Sequence, residues 1–271
     1  MRSPASSERP PLAQLLEAGR LDVACFTDEE LIAVGADRAA PFQLSPAPDR
    51  VSSQPEEFRE PILATALRSL IARGVVQPPT EEQLSAPGPD ARVELDTRGE
   101  LQVVLSIRNE PSVVAFVGQA EYFAMLHGLQ PDEAEGYLEE RVNPQGLHYF
   151  TLWSADQMVE SLAARMDPQG LTVESNLGPQ APQGEPPLAV TEAMLALAPG
   201  VTRIDAYHQR PAGNRRLRFG VLVTPEATWV ATSAFGVDPQ SERTFLVDRA
   251  GLRARIRGVL TDSEPGAAPG G

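Results

Sequence analysis

Apolar residues in this chain recur every three or four positions in some stretches and every second position in others, with proline and glycine punctuating the changes. Helical spacing is clearest over Glu56–Arg73. There Ile62, Leu63, Ala66, Leu67, Leu70 and Ile71 share one stripe, acids fill the first turn and Gly74 supplies a stop. Pro61 lies inside that stretch, so either the helix starts there, with proline at its favoured first position, or a looser turn precedes it. Leu12–Ala18 and Thr27–Val34 read as short helices, the second opened by Thr27 with Glu30 three residues on, a capping-box spacing. Thr80–Leu84 reads as a single helical turn. Leu101–Arg108 fits a strand through Leu101, Val103, Leu105 and Ile107 and a helix through Leu101, Val104, Leu105 and Arg108; helix is the preferred reading. Period-two alternation then predicts strands over Ser112–Gly118, Tyr122–His127, Tyr137–Val142 and Leu147–Leu152. Ser154 caps a helix to Met166 along the stripe Met158, Leu162, Met166, with Gln157 at the capping-box position.

A Gly/Pro/Gln-rich linker, residues 167–187, divides the pattern, which then resumes. Leu188–Ala198 reads as a helix. Val201–His208, Leu217–Val223, Thr228–Ala234 and Thr244–Val247 read as strands, and Asp248 caps a last helix carrying Leu252, Ile256 and Leu260. The closing pieces superpose at a constant offset of 94, Ser154 on Asp248, Met158 on Leu252, Leu162 on Ile256 and Met166 on Leu260. The expected fold is therefore α+β, with two pseudo-symmetric lobes, each helix–four-strand antiparallel sheet–helix, and a small helical N-terminal segment. The boundaries are a proline-rich leader with short helices (1–53), a first lobe (54–166), the linker (167–187), a second lobe (188–260) and a Gly/Pro/Ala tail (261–271) that is expected to be disordered.

Composition narrows the chemistry. With 42% hydrophobic residues the chain of 271 can bury a core. All 23 basic residues are arginine, which excludes a Schiff-base or P-loop lysine. The single cysteine excludes an intramolecular disulfide and Cys-rich metal sites. A net charge of -14 opposes nucleic acid and anionic membrane as partners. From Arg203 to Arg257, ten arginines against five acids give +5, leaving -19 on the remainder. No apolar run approaches the roughly 18 residues of a membrane span. The first residues also lack the apolar core of a signal peptide, so a cytoplasmic protein is expected.

No G-x-G-x-x-G, G-x-S-x-G, H-E-x-x-H or EF-hand pattern occurs, so no catalytic residue and no cofactor is assigned. His127 and His148 lie on neighbouring predicted strands with Glu139 and Glu140 between them, and could form a two-histidine, one-carboxylate metal site or fill half-buried sheet positions; the latter is preferred. His208 is expected in a solvated hairpin, and Cys25 at a helix start as a buried thiol. Arg215, Arg216 and Arg218 open one predicted strand, and Arg249, Arg253 and Arg257 recur along the last helix, as a solvated face or one paired with acids. Aromatic residues serve cores and interfaces alike. Phe219, Trp229 and Phe235, with Arg215, Arg216 and Arg218, are the candidate partner contacts.

Three stretches carry a family resemblance: Leu70-Ile71-Ala72-Arg73-Gly74-Val75 closing the long helix, Arg108-Asn109-Glu110-Pro111 before a strand, and Phe219-Gly220-Val221-Leu222-Val223-Thr224-Pro225 leading through Trp229 to the closing helix. Together with the duplicated pattern over Glu56–Leu260, they resemble the EspG-type chaperones of actinobacterial ESX (type VII) secretion. The resemblance implies a non-catalytic cytosolic chaperone with a quasi-two-fold fold that keeps a helical export substrate soluble. It carries over no binding residue by motif. A self-assembling component of a bacterial complex, possessing homo-oligomeric contacts, and an enzyme with an unrecognised site are the alternative readings.

Overall fold

The computed structural model describes residues 12–35, 51–80 except 52 and 79, 95–172 except 120, 121 and 131–133, and 201–262 except 211, 212, 225, 226 and 235–242. The expected helix Leu188–Ala198, the expected turn Thr80–Leu84 beyond Thr80 itself, Phe235, and most of the proline-rich connector, the linker and the tail fall outside these residues.

The N-terminal segment contains helix α1 (Leu12–Leu16), strand β1 (Arg20–Thr27) and helix α2 (Asp28–Ala33). The capping box forms: the Glu30 N–H donates to Thr27 Oγ1 and the Thr27 N–H to Glu30 Oε2, each at 3.1 Å. Strand β1 corrects the all-helical reading of this segment, and Cys25 lies on it. Helix α3 (Glu56–Ala72) starts before Pro61 and runs through it, a cost in hydrogen bonding confined to an exposed first stretch, and stops at Gly74, whose φ is +73°. Helix α4 (Gly99–Asn109) settles the ambiguous stretch, since Leu101, Val104, Ile107 and Arg108, spaced three, three and one apart, are its buried residues.

Strands β2 (Val113–Gln119), β3 (Tyr122–Gly128), β4 (Gly136–Val142) and β5 (Leu147–Ser154) form an antiparallel meander that leads into helix α5 (Ala155–Met166). Strands β6 (Val201–His208), β7 (Arg215–Val223), β8 (Thr228–Ala234) and β9 (Arg243–Val247) form a second meander, closed by helix α6 (Arg249–Thr261). Both closing helices are capped as their sequence spacing predicts. Ser154 Oγ accepts from the Gln157 N–H at 3.4 Å and Asp248 Oδ1 from the Gly251 N–H at 2.7 Å. The meanders are not separate sheets. Strand β2 pairs antiparallel with β6, from Val113 opposite His208 to Gly118 opposite Arg203, and β1 adds to β5, giving one nine-stranded sheet in the order β1-β5-β4-β3-β2-β6-β7-β8-β9.

Side chains alternate across this sheet, which separates two cores. On one face Ala115, Val117, Leu126, Ile204, Phe219 and Val221 pack under α5 and α6, meeting Met158 and Leu162 of the first helix and Leu252 and Ile256 of the second. On the other face, over β1, β5 and β4, Phe26, Leu138, Phe150 and Leu152 pack against Leu101 and Val104 of α4, Leu31 of α2 and Leu70 of α3. Phe26, Phe150 and Phe219 are fully buried, each contributing about 1.5–3 kcal/mol of transfer free energy.

Candidate functional site

The register brings together residues that sequence spacing only suggested. His127 of β3 stands opposite Leu138, Glu140 of β4 opposite Phe150, and Val142 opposite His148, so both histidines and Glu140 share the face covered by α2 and α4. Glu140 is completely buried at the centre. His148 Nδ1 lies 2.6 Å from Glu140 Oε1, and His127 Nε2 lies 2.9 Å from Oε2. Two further residues complete the cluster. Arg108 of α4 donates from Nε to Glu140 Oε2 at 3.1 Å, and Asp28, at the start of α2, places Oδ1 2.6 Å from His148 Nε2. Asp28 and Arg108 carry no motif that would have marked them.

Burial pushes the Glu140 carboxyl up, but the Arg108 guanidinium and the bonds from His127 and His148 outweigh it and hold it well below the usual carboxylate range. Burial pushes the His148 imidazole down, and the hydrogen bonds and negative charges of Glu140 and Asp28 overcome that and raise it. The contacts are direct imidazole–carboxylate hydrogen bonds, and a guanidinium already occupies one oxygen of the shared carboxylate. No cluster of His, Cys, Asp or Glu with metal-holding geometry occurs among the described residues. Glu139 points to the opposite face, where Trp153 Nε1 donates to it at 2.9 Å and Arg165 lies at 3.2 Å. It therefore belongs to neither histidine.

The other sequence candidates divide. Phe219 is fully buried beneath the helical layer, so as a partner contact it is corrected to a core residue. His208 is buried rather than solvated and donates from Nε2 to the Val259 carbonyl at 2.7 Å; burial lowers its pKa. Cys25 is half-buried on β1, and burial pushes its thiol pKa up. Arg215 pairs with Asp262, which also takes Arg210. The arginine stripe on α6 is paired with α5: Arg253 reaches Glu160 at 2.7 Å and Arg257 bonds Asp156.

Arg216 and Arg218 lie on the sheet face opposite α5 and α6. Arg218 Nε donates to Asp205 Oδ1 at 3.0 Å, Arg203 Nε to Oδ2 at 2.6 Å, and Arg216 lies over the Tyr207 ring at 4.7 Å. Tyr207 meets Phe116 edge-on at 5.7 Å, and Phe123, 38% exposed, lies 6.2 Å from Phe116. Farther along the same face Leu222 and Trp229 pack with Ala231, opposite the exposed Leu246. This face thus carries an arginine cluster flanked by partly exposed apolar side chains.

These arrangements describe a mixed α+β protein on a large antiparallel sheet, in which the conspicuous titratable residues are engaged in internal networks. No family model matches the chain, and no curated protein matches it in sequence. A solved structure to which it is similar is that of the Mycobacterium tuberculosis type VII secretion system chaperone EspG5 in complex with the PE25–PPE41 dimer, at 6% identity and a TM-score of 0.46, over 92% of this chain and 98% of that one. The likeness is a weak one, at the level of fold. Among the described residues no helix is long and apolar enough to cross a membrane.

Proposed function

We propose that this chain is a non-catalytic, cytoplasmic protein-binding adaptor, a chaperone that holds a helical export substrate against the sheet face carrying Phe123, Tyr207, Leu222, Trp229 and Leu246. The observation that carries the reading is the composition of that face. Partly exposed aromatic and aliphatic side chains surround Arg203, Arg216 and Arg218, whose side chains retain 29%, 31% and 35% of their exposure. Such a surface suits an amphipathic helix that presents apolar anchors flanked by carboxylates, because the anchors gain from desolvation while guanidinium groups orient the acids. Trp229, Arg216 and Arg218 are the proposed contacts, and Phe235, which lies outside the described residues, is proposed with them. In this reading the two meanders are pseudo-equivalent lobes, related about the β2–β6 junction. Secretion of the type VII kind is the process in which such a chaperone would act.

The test is paired capture from the native cytosol with tagged wild type and an Arg216→Glu/Arg218→Glu variant, followed by calorimetry with the purified partner. The expected outcome is a protein with an acid-bearing amphipathic helix, bound by wild type and at least about tenfold more weakly by the variant. A wild type that captures nothing the folded variant does not also capture would sink the proposal. A particle mass that falls with rising salt would instead favour the self-assembling component.

A further inference from the structure

The buried cluster beneath α2 has a property that the proposed binding role does not use. His148 lies between two carboxylates, with Asp28 Oδ1 and Glu140 Oε1 each 2.6 Å from one of its ring nitrogens. A carboxylate only accepts, so both contacts are hydrogen bonds only when both ring nitrogens carry protons; a neutral imidazole would turn a bare lone pair toward one of the two oxygens. Charge balance agrees. With His148 protonated, Arg108 and His148 offset Glu140 and Asp28, whereas its deprotonation leaves a net negative charge in a site where Glu140 is 0% and His148 3% exposed. Water cannot enter to compensate without opening the packing.

Only one of the two carboxylates belongs to the sheet. Glu140 is fixed by Arg108 and His127, while Asp28 is the first residue of α2, joined to the edge strand β1. The other charged pair at this junction is Glu30 with Arg73 of α3, at 3.0 Å, and Glu30 also accepts from Ser69. Two apolar side chains also border the ring: Phe150 is stacked on it and Phe26 of β1 stands opposite it in register. Cys25 of β1 stands opposite Tyr149 in register, so its side chain alternates to the other face of the sheet from Phe26 and His148.

We propose that His148 is a protonation-operated pin that fastens the β1–α2 segment to the sheet, so that loss of its proton releases this segment and uncovers the apolar surface of Phe26 and Phe150. Because Glu140 and Asp28 raise the imidazole pKa, the stabilisation is complete below the ordinary histidine value of 6.5 and is lost as pH rises through the folded value. The other charged and titratable groups around the cluster are Glu140, Arg108, His127 and the Glu30–Arg73 pair, and His148 is the group that bridges Asp28 of the segment to Glu140 of the sheet.

Hydrogen exchange of the full chain, measured by mass spectrometry from about pH 6 to pH 9 and corrected for intrinsic exchange rates, reads the pin directly. Protection of residues 20–33 is expected to fall at least about tenfold across this range while α5 and α6 stay protected. His148→Gln, which has no proton to lose, should give low protection of the segment at every pH. Asp28→Asn provides a milder variant and should move the wild-type transition to lower pH. Unchanged protection of residues 20–33 in wild type over the whole range would overturn the proposal, as would an Asp28→Asn transition at the wild-type position.

Discussion

Glu140→Gln removes the charge on which the buried cluster converges and leaves its shape nearly intact. Three donors meet that carboxylate: Arg108 Nε at 3.1 Å, His127 Nε2 at 2.9 Å and His148 Nδ1 at 2.6 Å. A glutamine offers one acceptor oxygen and must turn its NH2 toward one of those donors, while Arg108 Nε loses the carboxylate it bonds and His148 keeps only its contact to Asp28 from this pair of acids. Removing one partner from a buried ion pair costs about 3–5 kcal/mol, and a single hydrogen bond to a charged group about 1.5–3, so a loss of ~3–5 kcal/mol is expected for the whole constellation. Urea unfolding at about pH 5.5, followed by circular dichroism with the slope held common, measures it. The pH dependence supplies a second reading. Glu140 titrates well below its ordinary value of 4.5, so its stabilisation is complete above that value and is lost as pH falls through the folded one. His148 contributes in the opposite sense, so the cluster stabilises wild type most between 4.5 and 6.5, and the variant should lose the acid limb. A loss below about 1 kcal/mol, or an acid limb identical to wild type, would refute the argument that this carboxylate organises the site.

Three further outcomes follow from the packing. Phe219→Ala should cost about 3–5 kcal/mol in chemical denaturation, because the side chain is fully buried between sheet and helices; a loss under about 1 kcal/mol would return it to the surface. Gly146→Ala should lower thermal stability by about 1–2 kcal/mol or more, since φ is +77° and the added Cβ would lie 2.4 Å from Asp28 Oδ2. Arg253→Ala and Arg257→Ala should each change stability by less than about 1 kcal/mol, because both ion pairs are largely solvent-exposed; high salt should erase the difference.

Much of the α+β pattern was legible, for reasons visible in particular residues. The strands of both meanders and the helices α3, α4, α5 and α6 follow hydrophobic period and capping residues, which are local properties. Strand β1 was not legible. It is an edge strand broken by a bulge between Asp22 and Ala24, so its exposure does not alternate, and the capping signal at Thr27 dominates its C-terminal end. At the site, His127, Glu140 and His148 could be grouped because they lie on adjacent strands. Asp28 could not, since it meets His148 from 120 residues away, and Arg108 looked like the polar end of a helix. The face of Phe219 was assigned correctly relative to Val221, but alternation alone does not say which face the helices cover.

The position of β1 has a consequence for how the chain is made. Its residues 20–27 leave the ribosome well before their pairing partner, residues 147–154, which follows more than a hundred residues later. The meander β2–β5 closes through short connections, whereas β1 must wait for a long loop to close, with Phe26 solvated in the interval. Among the described strands of this half, the first in sequence is thus the last to join the sheet. Nascent chains arrested before residue 147 should expose this segment to proteases and holdase chaperones.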